Sequence, residues 1–183
     1  MGCWGITAFE SDAGLDSVEF IRKNIPGDGR LELGKIIEAM QKENYRVYDV
    51  TDGSSHSGPM ALAEVIIKMN GWDFSDLDYD GGPYRKEKKF GDITSLSASR
   101  ESLQWLRNYI SDTLKYAKEN AEFRAKYGEK WSGWFEESNW YGWQDHMVTL
   151  IGQLDTFLAS SGDQMELLSP REREKAPINK QTF

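Results

Sequence analysis

The chain has 183 residues, 30 acids against 22 bases for a net charge of -8, and 7 Trp, 8 Tyr and 8 Phe. A chain this long buries roughly 70% of its unfolded surface in one core, and its aromatic content excludes a disordered polymer. The acid excess argues against a nucleic-acid partner, which needs a concentrated basic face, and the most apolar stretch, residues 60–69, is half the ~20 residues of a bilayer crossing and carries Glu64 and Lys68.

The chain opens Met1-Gly2-Cys3-Trp4-Gly5 and reaches Phe9 before its first helical pattern. Trp4 and Phe9 are large apolar anchors where most chains fray. They are expected to dock as a buried plug sealing one end of the fold, with Gly2 and Gly5 allowing a tight turn. No basic segment followed by an apolar run opens the chain, and Cys3 is the single cysteine; both fit a cytoplasmic protein. Ser11 reads as a helix N-cap, with Asp12 and Asp16 where the helix dipole favours negative charge. The first helix runs to residue 24, with Leu15, Val18, Ile21 and Ile25 on its core face and Pro26-Gly27 as its stop.

A second helix is expected over 30–43, where Leu33, Ile36, Ile37 and Met40 recur at helical spacing. Residues 45–50 alternate as a strand would but lack an obvious partner, and read as an extended connector. Pro59 opens a largely buried third helix that Gly71 ends. Residues 72–95 break the periodicity as a charged surface excursion. Ser97 or Ser99 then caps a helix over 98–118, expected to be the central strut, and Asn120 reads as a fresh cap. After the aromatic cluster Trp131, Trp134, Phe135, Trp140, Tyr141 and Trp143, a last helix covers 140–159.

The fold expected is therefore mainly α: a compact bundle of about five or six helices with a docked N-terminal stretch and at most a minor short strand. Residues 1–160 form its single domain and 161–183 a polar, flexible tail.

Chemistry is sparse. Asp76, Asp78, Asp80, Gly81 and Glu87 follow the calcium-loop spacing, which would supply the oxygens a hard cation wants. The flanking helices of that motif are missing: Gly71 stops the preceding helix early and Pro83 interrupts the loop. Cys3, His56 and His146 are all the cysteine and histidine available, and no nucleophile elbow or paired-histidine motif accompanies them. No catalytic set, cofactor or metal is called for. The Trp cluster reads as core, with Trp131, Trp134 and Trp140 as interface anchors in the other reading because charged residues flank them.

The stretch Met1-Gly2-Cys3-Trp4-Gly5, then Phe9, Ser11-Asp12-Ala13 and Asp16, resembles the start of a bacterial family catalogued as domain of unknown function 4259. Members of that family open Met-Gly-Ala-Trp-Gly. Residues 61–65, 120–124 and 134–154 resemble its later segments, whereas Cys3 stands in place of its usual alanine and Ser11 of its usual asparagine. The resemblance implies a small bacterial, mainly helical domain and brings no activity with it.

The first function reading is a non-enzymatic, acidic protein-interaction domain of immunity or antitoxin type, with another protein as partner. Its contact candidates are Trp4, Phe9, Asp12, Asp16, Trp131, Trp134 and Trp140. The alternatives are an enzyme or small-ligand binder whose site lies between the N-terminal stretch and the Trp cluster, using Asp12, Asp16 and His146, and a calcium module at 76–87.

Overall fold

The computed structural model describes residues 2–52, 56–74, 76–78, 89–127, 137–160 and 162–168. Among these are five α-helices and a small three-stranded sheet, in agreement with a mainly helical bundle with minor strands. Ser11 caps α1 (Asp12–Lys23), its Oγ accepting from Gly14 N at 3.0 Å. Gly14 is required for a steric reason: a Cβ there would lie 1.9 Å from the Ala8 carbonyl oxygen, so only glycine lets the incoming chain cross α1 this closely.

Residues 45–50 form no strand, in keeping with a connector, and the strands lie elsewhere. β1 (Arg30–Glu32) takes the first residues of the expected second helix, so α2 begins at Leu33 and spans Leu33–Lys42. Gly29, at φ +72°, makes the turn into β1, and its carbonyl accepts from Thr94 N at 2.8 Å. β1 pairs in parallel with β2 (Ser95–Ser99), Leu31 opposite Leu96. β2 in turn pairs antiparallel with β3 (Gln164–Leu168), which gives the order β1-β2-β3. Part of the expected tail is therefore structure: Met165, Leu167 and Leu168 are buried, and Asn70 Nδ2 donates to Leu167 O at 2.7 Å. The rest of the tail, 169–183, lies outside the described residues.

The central helix is α3 (Ser57–Asn70), not the long one. From Ser57 to Ile66 every residue of α3 is buried, as befits a helix that is apolar nearly all round. α1 packs against it, and α4 (Arg100–Lys126) and α5 (Trp140–Leu158) also touch it while packing on each other. Ser99, not Ser97, caps α4, its Oγ accepting from Ser102 N at 3.0 Å. The helix then runs through Asn120 without a break, and its far end leaves Phe123 and Tyr127 exposed. Arg100 ties the sheet to α5: its guanidinium donates to the carbonyls of Leu158, Ser160 and Gly162 at 2.9, 2.6 and 3.1 Å, covering the C-terminus of that helix.

Candidate functional site

The N-terminal stretch is a closed loop built around one carboxylate. Trp4 N donates to Glu10 O at 2.9 Å and Asp12 N to Gly2 O at 3.0 Å, so residues 2–12 double back on themselves. Inside the loop, Glu10 Oε2 accepts from Ile6 N, Thr7 N and Thr7 Oγ1 at 2.9, 3.0 and 3.0 Å. The Thr7-to-Glu10 spacing is a capping box around the short 3-10 turn Ala8–Glu10. A Cβ on Gly5 would sit 2.2 Å from the Glu10 carboxyl, so a side chain there would have to displace that carboxylate. The Thr7 amide holds the Glu10 carboxyl below the usual glutamate range; burial opposes this, and the Ile6 amide, the Thr7 hydroxyl and the charge of His146 reinforce it.

The next residue of the loop reaches the core. Ala8 N donates to Glu64 Oε1 at 2.8 Å, and the same oxygen lies 2.7 Å from His146 Nε2. Glu64 is a carboxylate at 5% exposure on the apolar helix α3, so these two donors are its support. With Nε2 facing a carboxylate oxygen, that nitrogen carries the hydrogen, and in the neutral ring Nδ1 is left as an acceptor. Glu64 Oε2, by contrast, is buried with no hydrogen-bond partner.

Above this floor opens a cleft of about 700 Å³. Trp4, Phe9, Leu15, Ile67 and Leu150 form its apolar walls; Glu10, Glu64, Lys68, Asp76 and His146 supply its ionisable lining, and Thr7, Thr149 and Gln153 its neutral polar groups. Lys68 Nζ sits 5.4 Å from the centre of the Phe9 ring and pairs with Asp76 at 3.0 Å and Asp73 at 3.4 Å. Burial disfavours its charge, yet the carboxylates of Asp76 and Asp73 outweigh that and raise its pKa. The volume falls in the range of clefts that take small molecules, and its walls combine apolar and polar side chains. The floor can accept hydrogen bonds, and an imidazole oriented by a carboxylate can take up a proton.

The expected contact residues divide sharply. Trp4 is 58% exposed at the cleft and is no plug, because the loop hydrogen-bonds its backbone while leaving the indole outside. Phe9 is half-buried in the wall. Asp12 and Asp16 do not line the cleft: Asp12 Oδ2 accepts from Gly2 N at 2.6 Å, and Asp16 pairs with Arg46 at 2.9 Å. Trp140 is no interface anchor, since it is buried and stacked on Trp143 with ring centres 5.2 Å apart. Trp131 and Trp134 lie outside the described residues, as do Asp80 and Glu87 of the calcium pattern. Of that pattern, Asp76 binds Lys68, and Asp78 accepts from Phe90 N and Gly91 N at 3.0 and 3.1 Å.

His56 stands apart from the cleft, buried near the Tyr48 and Tyr109 rings and 3.2 Å from Asp52. Burial pushes its pKa down, against the pull of Asp52 and Asp49. Cys3 is half-buried, its thiol donating to Gly5 O at 3.3 Å.

Glu10 and Glu64 are the site residues that sequence reasoning missed. Their signals were available: Glu10 completes a capping-box spacing with Thr7, and Glu64 is the lone acid in the apolar run 59–67. No protein-family model, curated protein or solved structure matches this chain. Among the described residues no helix is long and apolar enough to cross a membrane.

Proposed function

We propose that this protein binds a small organic ligand in the cleft between the N-terminal loop, α3 and α5. One observation carries the reading: the cleft is lined by a buried carboxylate that orients an imidazole, Glu64 Oε1 lying 2.7 Å from His146 Nε2, beside apolar and aromatic walls. A buried carboxylate with an oxygen left unmatched is unfavourable, and a ligand that displaces neighbouring side chains to supply a donor would recover part of that free energy on binding. The N-terminal stretch that carries the resemblance fits the same reading. Gly5 and Glu10 close the loop that forms one rim of the cleft, so membership of the bacterial family it resembles, also a proposal, would imply a similar rim. Ligand-observed NMR with a fragment library tests it. Fragments that bind the parent chain are expected to lose their signal with His146→Ala and Trp4→Ala; a library without hits, or hits indifferent to both variants, refutes the site.

A second reading, the acidic protein-interaction domain, is favoured by the exposed Phe123–Tyr127 ring pair, 4.7 Å apart at the free end of α4. Under it, Phe123→Ser with Tyr127→Ser abolishes capture of a stoichiometric partner from host lysate at low salt and leaves fragment binding in the cleft intact.

A further inference from the structure

Resting on that reading of the cleft, we infer that its ligand is an organic ammonium ion: a protonated amine carried on an apolar, aromatic-sized body. The charge of the lining points this way. Glu10, Glu64 and Asp76 contribute three carboxylates, and Lys68 is the lining's permanent cation. Lys68 is already matched by Asp76 and by Asp73 from outside the cleft, so it is not a free anchor for an anionic ligand. Leaving the imidazole aside, the four charged side chains of the lining sum to -2.

The unpartnered groups point the same way. Glu64 is nine-tenths buried, and its Oε2 is an acceptor without a donor. His146 spends Nε2 on Glu64, which leaves Nδ1 as the acceptor of the neutral ring. An ammonium head brings donors to such acceptors, whereas a carboxylate or phosphate would set acceptor against acceptor in a site partly shielded from water. Trp4 adds an indole face at the cleft, the best aromatic surface for a cation, while Phe9 already has Lys68 over its ring. The remaining wall residues, Leu15, Ile67 and Leu150, suit a hydrocarbon body.

A matched trio sharing one body tests the assignment: 2-phenylethylammonium, 2-phenylethanol and 3-phenylpropionate, titrated calorimetrically into the full-length chain. The ammonium is expected to bind at least about tenfold tighter than the alcohol, the scale of one hydrogen bond to a charged group. The carboxylate is expected to be weakest. Glu64→Gln, which keeps the shape and removes the charge, is expected to abolish most of the ammonium preference, the ratio of ammonium to alcohol affinity falling toward one. Asp76→Asn, on the exposed rim, reports the same charge selection with a smaller loss should Glu64→Gln fail to fold. An alcohol or carboxylate that binds as tightly as the ammonium overturns the assignment. If none of the trio binds while library fragments do, the ammonium assignment falls and the cleft reading stands; if nothing binds, both fall.

Discussion

Truncating Glu64 to alanine tests the link between the N-terminal loop and the cleft floor. Ala8 is fully buried, so without Glu64 its amide has neither a protein acceptor nor water; an orphaned buried donor costs about 1–3 kcal/mol. The bond to His146, whose side chain is 18% exposed, adds about 1 kcal/mol. Removing the unmatched Oε2 returns part of this. The net loss expected is about 1–3 kcal/mol, or about 2–12 °C in Tm for a chain of this size. Scanning calorimetry and urea unfolding measure it. Glu64→Gln keeps a carbonyl for Ala8 and is expected to cost about 1 kcal/mol or less. A double-mutant cycle with His146→Ala is expected to show coupling of about 0.5–3 kcal/mol. A Glu64→Ala chain melting within about 1 °C of the parent, or a cycle without coupling, would refute the reasoning.

Glycine substitutions separate steric need from helix propensity. Gly14→Ala forces a Cβ into the Ala8 carbonyl and is expected to cost at least about 1–3 kcal/mol, whereas Gly152→Ala, with open space around its Cβ, is expected to stabilise α5 by about 0.5–1 kcal/mol; thermal melts compare them. Arg100→Ala strips three carbonyl contacts from the end of α5 and is expected to cost about 2–3 kcal/mol, with amide hydrogen exchange rising first at residues 157–168. Acid acts through two groups. His56 is depressed by burial, so the unfolded chain binds its proton first: stability is full above the ordinary histidine value of about 6.5 and falls as pH drops from there toward the folded pKa. His56→Phe is expected to flatten that limb of a pH-stability curve. Glu10 is also depressed, chiefly by the Thr7 amide; its contribution is present above the ordinary glutamate range and is lost as pH falls through its lower folded pKa, a limb that Glu10→Gln removes.

Much of the helical frame was legible because it rests on local physics. The caps at Ser11 and Ser99, the periodicity of Leu33, Ile36, Ile37 and Met40, and the stop at Gly71 involve neighbours within a few turns, and all recur in the structure. The strands were not legible. β1 has only Arg30, Leu31 and Glu32, and it is a strand because Leu31 meets Leu96 from 65 positions away. β3 shows an apolar alternation at Met165 and Leu167, but five residues before a polar tail carry little signal until β2 offers an edge. Asn120 looked like a cap because local hydrogen bonding favours one there, yet α4 continues through it.

The site divides along the same line. By itself the sequence determined that residues 2–16 are special: a Trp, paired glycines and an acid at capping-box spacing leave a local trace. Its aromatics were misassigned because exposure is not a local property. Trp4 stays outside since the loop is held by its backbone and by Glu10, while Trp140 goes inside since Trp143 offers it a stacking partner. Only the tertiary structure decided that the loop is the rim of a cleft. The contact that makes it so joins Ala8, Glu64 and His146 across separations of 56 and 82 positions, and hydrogen bonds of that reach exist only once α1, α3 and α5 have packed.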